Sequence, residues 1–431
     1  MKSLGKRLLI STMAICAMSG GAIAADQVIR VMHQGMPDEV KMYQDVAKRF
    51  EAANPGVKVE LIYAPHDSYN EKVSAVINAK QMPDIMELDA PFLANYVWSG
   101  YLAPIAQYLD KNLVGELTAS AISADTYPID KQLYAFGIID SAVVLYANKK
   151  QLAAINARIP KGVDDAWTAE EFEANMEKLA KLPGVKWPID LLRGYGVTSE
   201  WVTYGYSPAL QSAGCDLISR TTWKSVGTLD SEPCVKTLTA MQRWVKNGWV
   251  VPASAGTNAF YAEGNPASLL WGGHWLYADA EKAMGDNLIV LPLPKFGAKS
   301  ASPNGTWTWS ITKASKNPQL AGKFLNYFLG EDKIYRDFQV AKRGVPAVKS
   351  MVTASPTYGP TGKMAVAVEQ AEKTAVARPT HPAYPVITST FMKAVDSIFN
   401  GAEVKKTLAS AAKSIDDDIE DNGGYPPFNG K

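Results

Sequence analysis

The sequence predicts an α/β fold, and three observations predict it. Residues 28–32 form an apolar run, residues 57–63 alternate strictly through Val57, Val59, Leu61 and Tyr63, and residues 84–88 form a third short run after a Met-Pro turn. Two stretches of helical periodicity lie between these runs. Strand, helix, strand, helix, strand in such a short span describes βαβ units and a largely parallel sheet.

Each element has a local reason. Val40, Tyr43, Ala47 and Phe50 share one stripe of the first helix, and Asn54-Pro55-Gly56 stops it. Ser68 followed by Glu71 has the spacing of a capping box and is expected to open the second helix; Thr168 and Glu171 repeat that spacing before a helix to about residue 182. Residues 143–148 read as a strand, and strands at 269–271 and 288–293 bracket a helix near 278–284. A helix over 318–329 follows Trp309-Ser310-Ile311-Thr312. Ile387, Phe391, Val395 and Ile398 line one late helix up to Asn400-Gly401, and Val404, Leu408, Ala411, Ile415 and Ile419 line another. No internal repeat or low-complexity linker separates these parts, so the domains are expected to pack through crossings of the chain.

The 431 residues suggest two to three domains at roughly 150 residues each. Lys2, Lys6 and Arg7 precede an apolar run over 8–18 and the small-residue site Ala22-Ile23-Ala24, the pattern of a cleaved leader over 1–24. The run falls short of the ~20 apolar residues that span a bilayer. Ile15 is too bulky to precede a lipid-anchoring cysteine at Cys16. Export to the periplasm is therefore expected. The formal charge of +1 becomes −2 once the leader's three cations are removed, and with no Lys/Arg block this argues against nucleic acid. Cys215 and Cys234 remain as an even pair, expected to form a disulfide in an oxidising compartment.

Several segments, in order, resemble a known family. FEAANPGVKVELIY, AKQMPDIMELDA and GYLAPI are similar to the opening of the extracellular solute-binding proteins of carbohydrate ABC importers, the group that includes maltodextrin-binding proteins. DSAVVLYANKKQL, AWTAEEFEANMEKLA, YAEGNPASLLWGGHW and KRGVPAVKS resemble later parts of that family. Tyr261 stands where the family commonly has Phe, and Ala147 where a Tyr would precede Asn148. The resemblance implies a periplasmic-binding-protein-like fold of type II, with two α/β lobes around a hinged cleft. Lobe one would hold 25–137 plus 294–343, and lobe two 138–293 plus 344–431. It also implies a small-molecule ligand, most simply a sugar, the membrane permease of an ABC importer as partner, a monomeric state, and no cofactor or metal.

A sugar needs flat aromatic surfaces for its C–H faces and directed polar groups for its hydroxyls. Ligands of open α/β sheets bind beyond the carboxyl ends of strands. That rule selects His33 and Gln34, then His66 with Asp67, then Asp89 in lobe one. In lobe two Asp140 lies just past the crossing and would face the cleft, and Gly273-His274-Trp275 follows a strand at once, where glycine lets a ligand approach the backbone; Tyr204 is a possible addition from a segment without a predicted position. Trp307, with Trp309 alternating beside it, offers a stacking plane, and Arg343 at the return crossing offers a guanidinium. Glu200 and Trp201 are further candidates on a segment without a predicted position. Asp67 has the alternative of capping the next helix.

Two other readings remain. Arg343, Arg193 and Arg378 would suit an anionic or phosphorylated polyol. Asp89 and Asp140 could serve as the carboxylate pair of a secreted carbohydrate-active enzyme. No metalloprotease, P-loop or nucleophile-elbow motif is present, and Ser310-Ile311-Thr312-Lys313 lacks the partner motifs that would give S-x-x-K a meaning. The four histidines have no metal-ligand spacing.

Overall fold

The computed structural model describes residues 27–342 and 344–428. The leader assigned to 1–24 and Arg343 lie outside the described residues. Two four-stranded sheets organise the chain. In the first, the strands run Trp307–Ile311, Ile85–Asp89, Gln27–His33, Val57–Tyr63. The three early strands are parallel and Trp307–Ile311 is antiparallel to its neighbour. In the second sheet the order is Trp187–Asp190, Ala267–Gly273, Val143–Asn148, Leu288–Leu291, with Val143–Asn148 antiparallel to both neighbours.

The period-2 and period-3.6 patterns are expressed as packing. Helix Pro37–Ala53 buries Tyr43, Val46, Ala47 and Phe50 against one face of the first sheet. There Tyr43 meets Trp309 and Phe328 edge-on, and Phe50 meets Phe324. Its start is satisfied by Pro37, which needs no N–H partner, and by Glu39, whose carboxylate accepts the Met36 N–H at 2.9 Å. Helix Tyr69–Asn78 covers the other face, where Tyr69 and Val73 join Met32, Met86 and Leu88. The second helix opens differently from the expected capping box. Ser68 makes no side-chain cap bond; a 3₁₀ turn, His66–Ser68, precedes the helix and the Ser68 hydroxyl donates back to Pro65 O. The turn takes Ser68 out of the extended conformation that a capping residue needs. At Thr168 the capping box forms as expected, with Thr168 Oγ1 taking the Glu171 N–H and Glu171 taking the Thr168 N–H.

The second sheet is fully buried along Val143–Asn148 and Ala267–Gly273. Helix Trp201–Ser212 is buried on nearly every side, so its sequence shows little amphipathic contrast. Helices Glu232–Lys246, Tyr384–Phe399 and Val404–Asp421 complete this half. The chain passes between the sheets three times. Ile139–Asp140 pairs antiparallel with Val345–Pro346, and Ser302–Asn304 pairs parallel with Ala375–Ala377. Among the described residues, no helix is long and apolar enough to cross a membrane.

Cys215 and Cys234 are joined, closing a sequence separation of 19. A loop of that size restricts the unfolded chain by about 3 kcal/mol. Near the C-terminus, His381 is fully buried among Trp223, Tyr425 and Phe428 at centroid distances of 5.0, 5.4 and 4.8 Å. Its Nδ1 accepts the Ala383 N–H, so the proton sits on Nε2, and burial lowers its pKa to about 4.

Two outcomes follow from these features. Reduction of the protein should lower its urea-unfolding free energy by about 3 kcal/mol, and unchanged stability in reductant would refute the chain-entropy role of the disulfide. For His381 the folded pKa lies below the unfolded 6.5, so the unfolded chain takes up a proton first as pH falls. Stability should decline between pH 6.5 and about 4, by on the order of 3 kcal/mol, and His381→Phe should flatten that slope in a pH series of thermal melts.

Candidate functional site

Asp89 ends its strand at the carboxyl edge of the first sheet, as the strand-end rule predicts, and it is buried. Its partner is Arg378, which follows the short Ala375–Ala377 strand. The guanidinium is bidentate: Nη1 donates to Asp89 Oδ2 at 2.9 Å and Nη2 to Oδ1 at 2.7 Å. Arg378 also donates to Glu200 Oε1 at 2.9 Å and to the Gly305 carbonyl at 3.0 Å. Glu200, just ahead of the buried helix, accepts from the Tyr384 hydroxyl and from Thr388 Oγ1. The guanidinium carbon lies 4.9 Å over the Tyr204 ring. Burial opposes the charge on Arg378, but Asp89 and Glu200 outweigh it and hold its pKa well above the ordinary range. Burial raises Glu200, with Arg378 acting the other way.

Aromatic groups flank this floor. From the second lobe, Trp275 donates its indole N–H to the Tyr195 hydroxyl at 3.0 Å and stands 5.8 Å from Trp201 and 5.9 Å from Tyr204. Gly273 was expected to let a ligand near the backbone. Its open side is instead covered by Trp275, since a Cβ there would sit 2.1 Å from that ring. His274 is buried with Nδ1 at the Ala142 N–H. From the first lobe, Trp307 packs against His66 and Tyr69 at 5.2 and 5.3 Å. Trp309 goes into the core beside Tyr43 and Phe328, so the two tryptophans do not share a role. Gln34 is held by Glu87 and His66, and His33 lies edge-on to Tyr43 with its pKa lowered by burial. Asp67 lies in the 3₁₀ turn between the second strand and second helix.

Asp140 sits on a crossing strand, and its oxygens are engaged by the chain itself. It accepts from Ser120 Oγ, from the Ser141 N–H at 2.7 Å and from the Gly305 N–H at 3.0 Å. Asp125 lies beside it, bonded to Thr308, with burial raising its pKa to about 8. The cavity they line is about 10 Å³, room for a water and not for a sugar. A larger hollow of about 560 Å³ runs along the Leu288–Leu291 edge strand and shares no residue with the site. Asp140 therefore ties two crossings together, whereas Asp89, Trp275, Tyr204, Glu200 and Arg378 form one cluster and Gln34, His66 and Trp307 another.

Sequence reasoning missed Glu87, Tyr384 and Thr388. Glu87 carried a signal, an acid flanked by apolar Met86 and Leu88 inside a fully buried strand. Arg378, which the sequence offers as an anion receptor, already has two carboxylates as partners. Removing the guanidinium leaves both acids buried without a counter-charge, so Arg378→Met should cost about 3–5 kcal/mol in denaturant unfolding, and adding Asp89→Asn should recover part of the loss. A fully additive double mutant would refute the coupling.

Residues 45–369 match the family described as bacterial extracellular solute-binding protein. Among curated relatives, an uncharacterized lipoprotein of Streptomyces antibioticus is 26% identical over 42% of this chain. That match spans 41% of the relative, and the match to a putative binding protein of Brucella abortus spans 49% of its length. The maltodextrin-binding protein of Bacillus subtilis is 22% identical over 95% of this chain and 94% of its own. Among solved structures, an ABC substrate-binding protein of Listeria monocytogenes in complex with cycloalternan superposes with TM-score 0.76 at 20% identity, covering 92% of this chain and 99% of that one. The sugar-binding protein of Xanthomonas citri superposes with TM-score 0.74 at 18% identity, covering 92% and 98%. With two α/β lobes meeting at a polar floor walled by aromatic rings, and a family match over most of its length, this chain belongs to the bacterial extracellular solute-binding proteins.

Proposed function

We propose that the protein captures a neutral sugar or oligosaccharide between its lobes in the periplasm and delivers it to the permease of an ABC importer. The observation that carries this reading is the Asp89–Arg378–Glu200 floor between aromatic rings of both lobes. Directed donors and acceptors below flat rings are what a pyranose requires. The maltodextrin- and cycloalternan-binding relatives support a carbohydrate. A neutral ligand is favoured over an anionic polyol because Arg378 has its charge satisfied within the protein. Ligand contacts on both lobes favour the closed state by their differential affinity, and hinge closure at the three crossings is the motion. In this reading the lobes run 25–137 plus 294–343 and 138–293 plus 344–431, the leader is removed near Ala24, the mature chain works as a monomer, and release rather than chemistry follows closure.

A thermal-shift series over neutral, amino and phosphorylated sugars tests the ligand class, because a ligand that binds only the native state raises Tm by mass action. At least one neutral saccharide should stabilise the protein and be recovered unchanged. Asp89→Ala and Trp275→Ala should each weaken its affinity at least tenfold in calorimetry. Stabilisation confined to phosphorylated sugars, or the appearance of cleavage products, would overturn the reading.

A further inference from the structure

Glu87 is buried on the Ile85–Asp89 strand, beneath the loop that follows the first strand. A single residue engages both its oxygens. Oε2 accepts the Gln34 main-chain N–H at 3.0 Å, and Oε1 accepts the Gln34 side-chain amide N–H at 3.2 Å. The Tyr43 hydroxyl also reaches Oε1, at 3.5 Å. This leaves the Gln34 side-chain oxygen for His66, whose Nδ1 lies 3.1 Å away. A carboxylate can only accept, so it dictates which way the Gln34 amide faces. The amide in turn dictates the His66 tautomer: Nδ1 carries the proton, and Nε2 of this exposed ring is an acceptor. His66 packs on Trp307, so the polarity of its Nε2 is a property of the first-lobe wall.

We propose that Glu87 is a positioning residue that sets the hydrogen-bond polarity of this wall, offering a sugar hydroxyl an acceptor at His66 when Glu87 is ionised and a donor when it is neutral. The proposal rests on the reading of the cleft as a sugar site. Hydrogen counting gives the reversal. A neutral carboxyl takes one proton from solvent and keeps one oxygen for the Gln34 main-chain N–H, which cannot turn. Its new O–H is a donor, to which Gln34 presents its side-chain oxygen. The Gln34 NH₂ then faces His66 Nδ1, which becomes an acceptor, and the ring exchanges its proton to Nε2.

The groups around Glu87 allow both states. Burial is the largest influence and raises its pKa to about 8, against the lowering effect of the Gln34 donors. Helix Pro37–Ala53 contributes Glu39, a like charge, and Tyr43; helix Lys333–Lys342 contributes Tyr335. Tyr69 donates to the Glu87 main-chain oxygen at 2.6 Å, and His33 stands beside Tyr43. Burial keeps all three tyrosines neutral, well above their ordinary value. Glu87 is thus the carboxyl in this pocket that changes charge near pH 8.

The chain has four histidines, so selective ¹⁵N-histidine labelling gives a tractable NMR spectrum, with His66 assigned by its loss in His66→Gln. In the wild type, His66 should be the Nδ1–H tautomer at pH 9 and shift to Nε2–H at pH 7. Glu87→Gln supplies a permanent donor and should hold Nε2–H at both pH values. A wild-type tautomer that is the same at both pH values, or a Glu87→Gln spectrum that still reverses with pH, overturns the proposal. Should Glu87→Gln fail to fold, the wild-type comparison decides alone. No sugar is present in this experiment, so its outcome is independent of the sugar series.

Discussion

The structure depends on one buried guanidinium. Arg378 carries a single positive charge between two carboxylates, Asp89 and Glu200, contributed by segments far apart in the chain. Taking three charges out of water costs several kcal/mol per ion, and only dense, well-aligned partners offset it. Here the partners are several: a bidentate contact to Asp89, the Gly305 carbonyl, the face of Tyr204, and two hydroxyls on Glu200, while the Arg378 Nε is buried without a hydrogen-bond partner among the described residues.

The same neighbourhood holds the crossings. Gly305 gives its N–H to Asp140 and its carbonyl to both Arg378 and Ser141. One residue therefore touches the crossing strand, the floor and the start of the Trp307–Ile311 strand. Its φ of +80° is one that a side chain rarely tolerates, which places a backbone turn where three networks converge. Rotation of one lobe on the other cannot leave the floor geometry unchanged, because these contacts join the crossing strand to the floor.

Much of the fold was legible because periodicity reports burial directly. The Pro37–Ala53 helix and the two C-terminal helices have clean stripes that became the packed faces, and the first and third strands were read from their apolar runs. Helix Trp201–Ser212 was not legible: buried all round, it has no stripe to read. The same burial kept Glu200 and Tyr204 without a position. Local rules failed where tertiary contacts override them, as at Ser68, where a 3₁₀ turn displaces the capping box. The strand-end rule placed Asp89 at the carboxyl edge of the first sheet and Gln34 just beyond its first strand, since topology alone decides what stands there. Arg378 and Glu87 were harder, because their roles come from partners 289 and 53 residues away.

The aromatic group around His381 has a consequence for how the chain is completed. The Trp98 indole N–H donates to Pro426 O and its ring meets Tyr425, while Tyr127 meets Phe428. An early helix is thus covered by residues 425–428, across a separation of 328. Contacts of such range are slow to form because their loops must close first. A growing polypeptide released from its N-terminus onward holds Asp89 without Arg378 and Trp98 without Pro426 until the end. Until those distant partners are made, the early half presents an unpaired acid and uncovered rings to other chains.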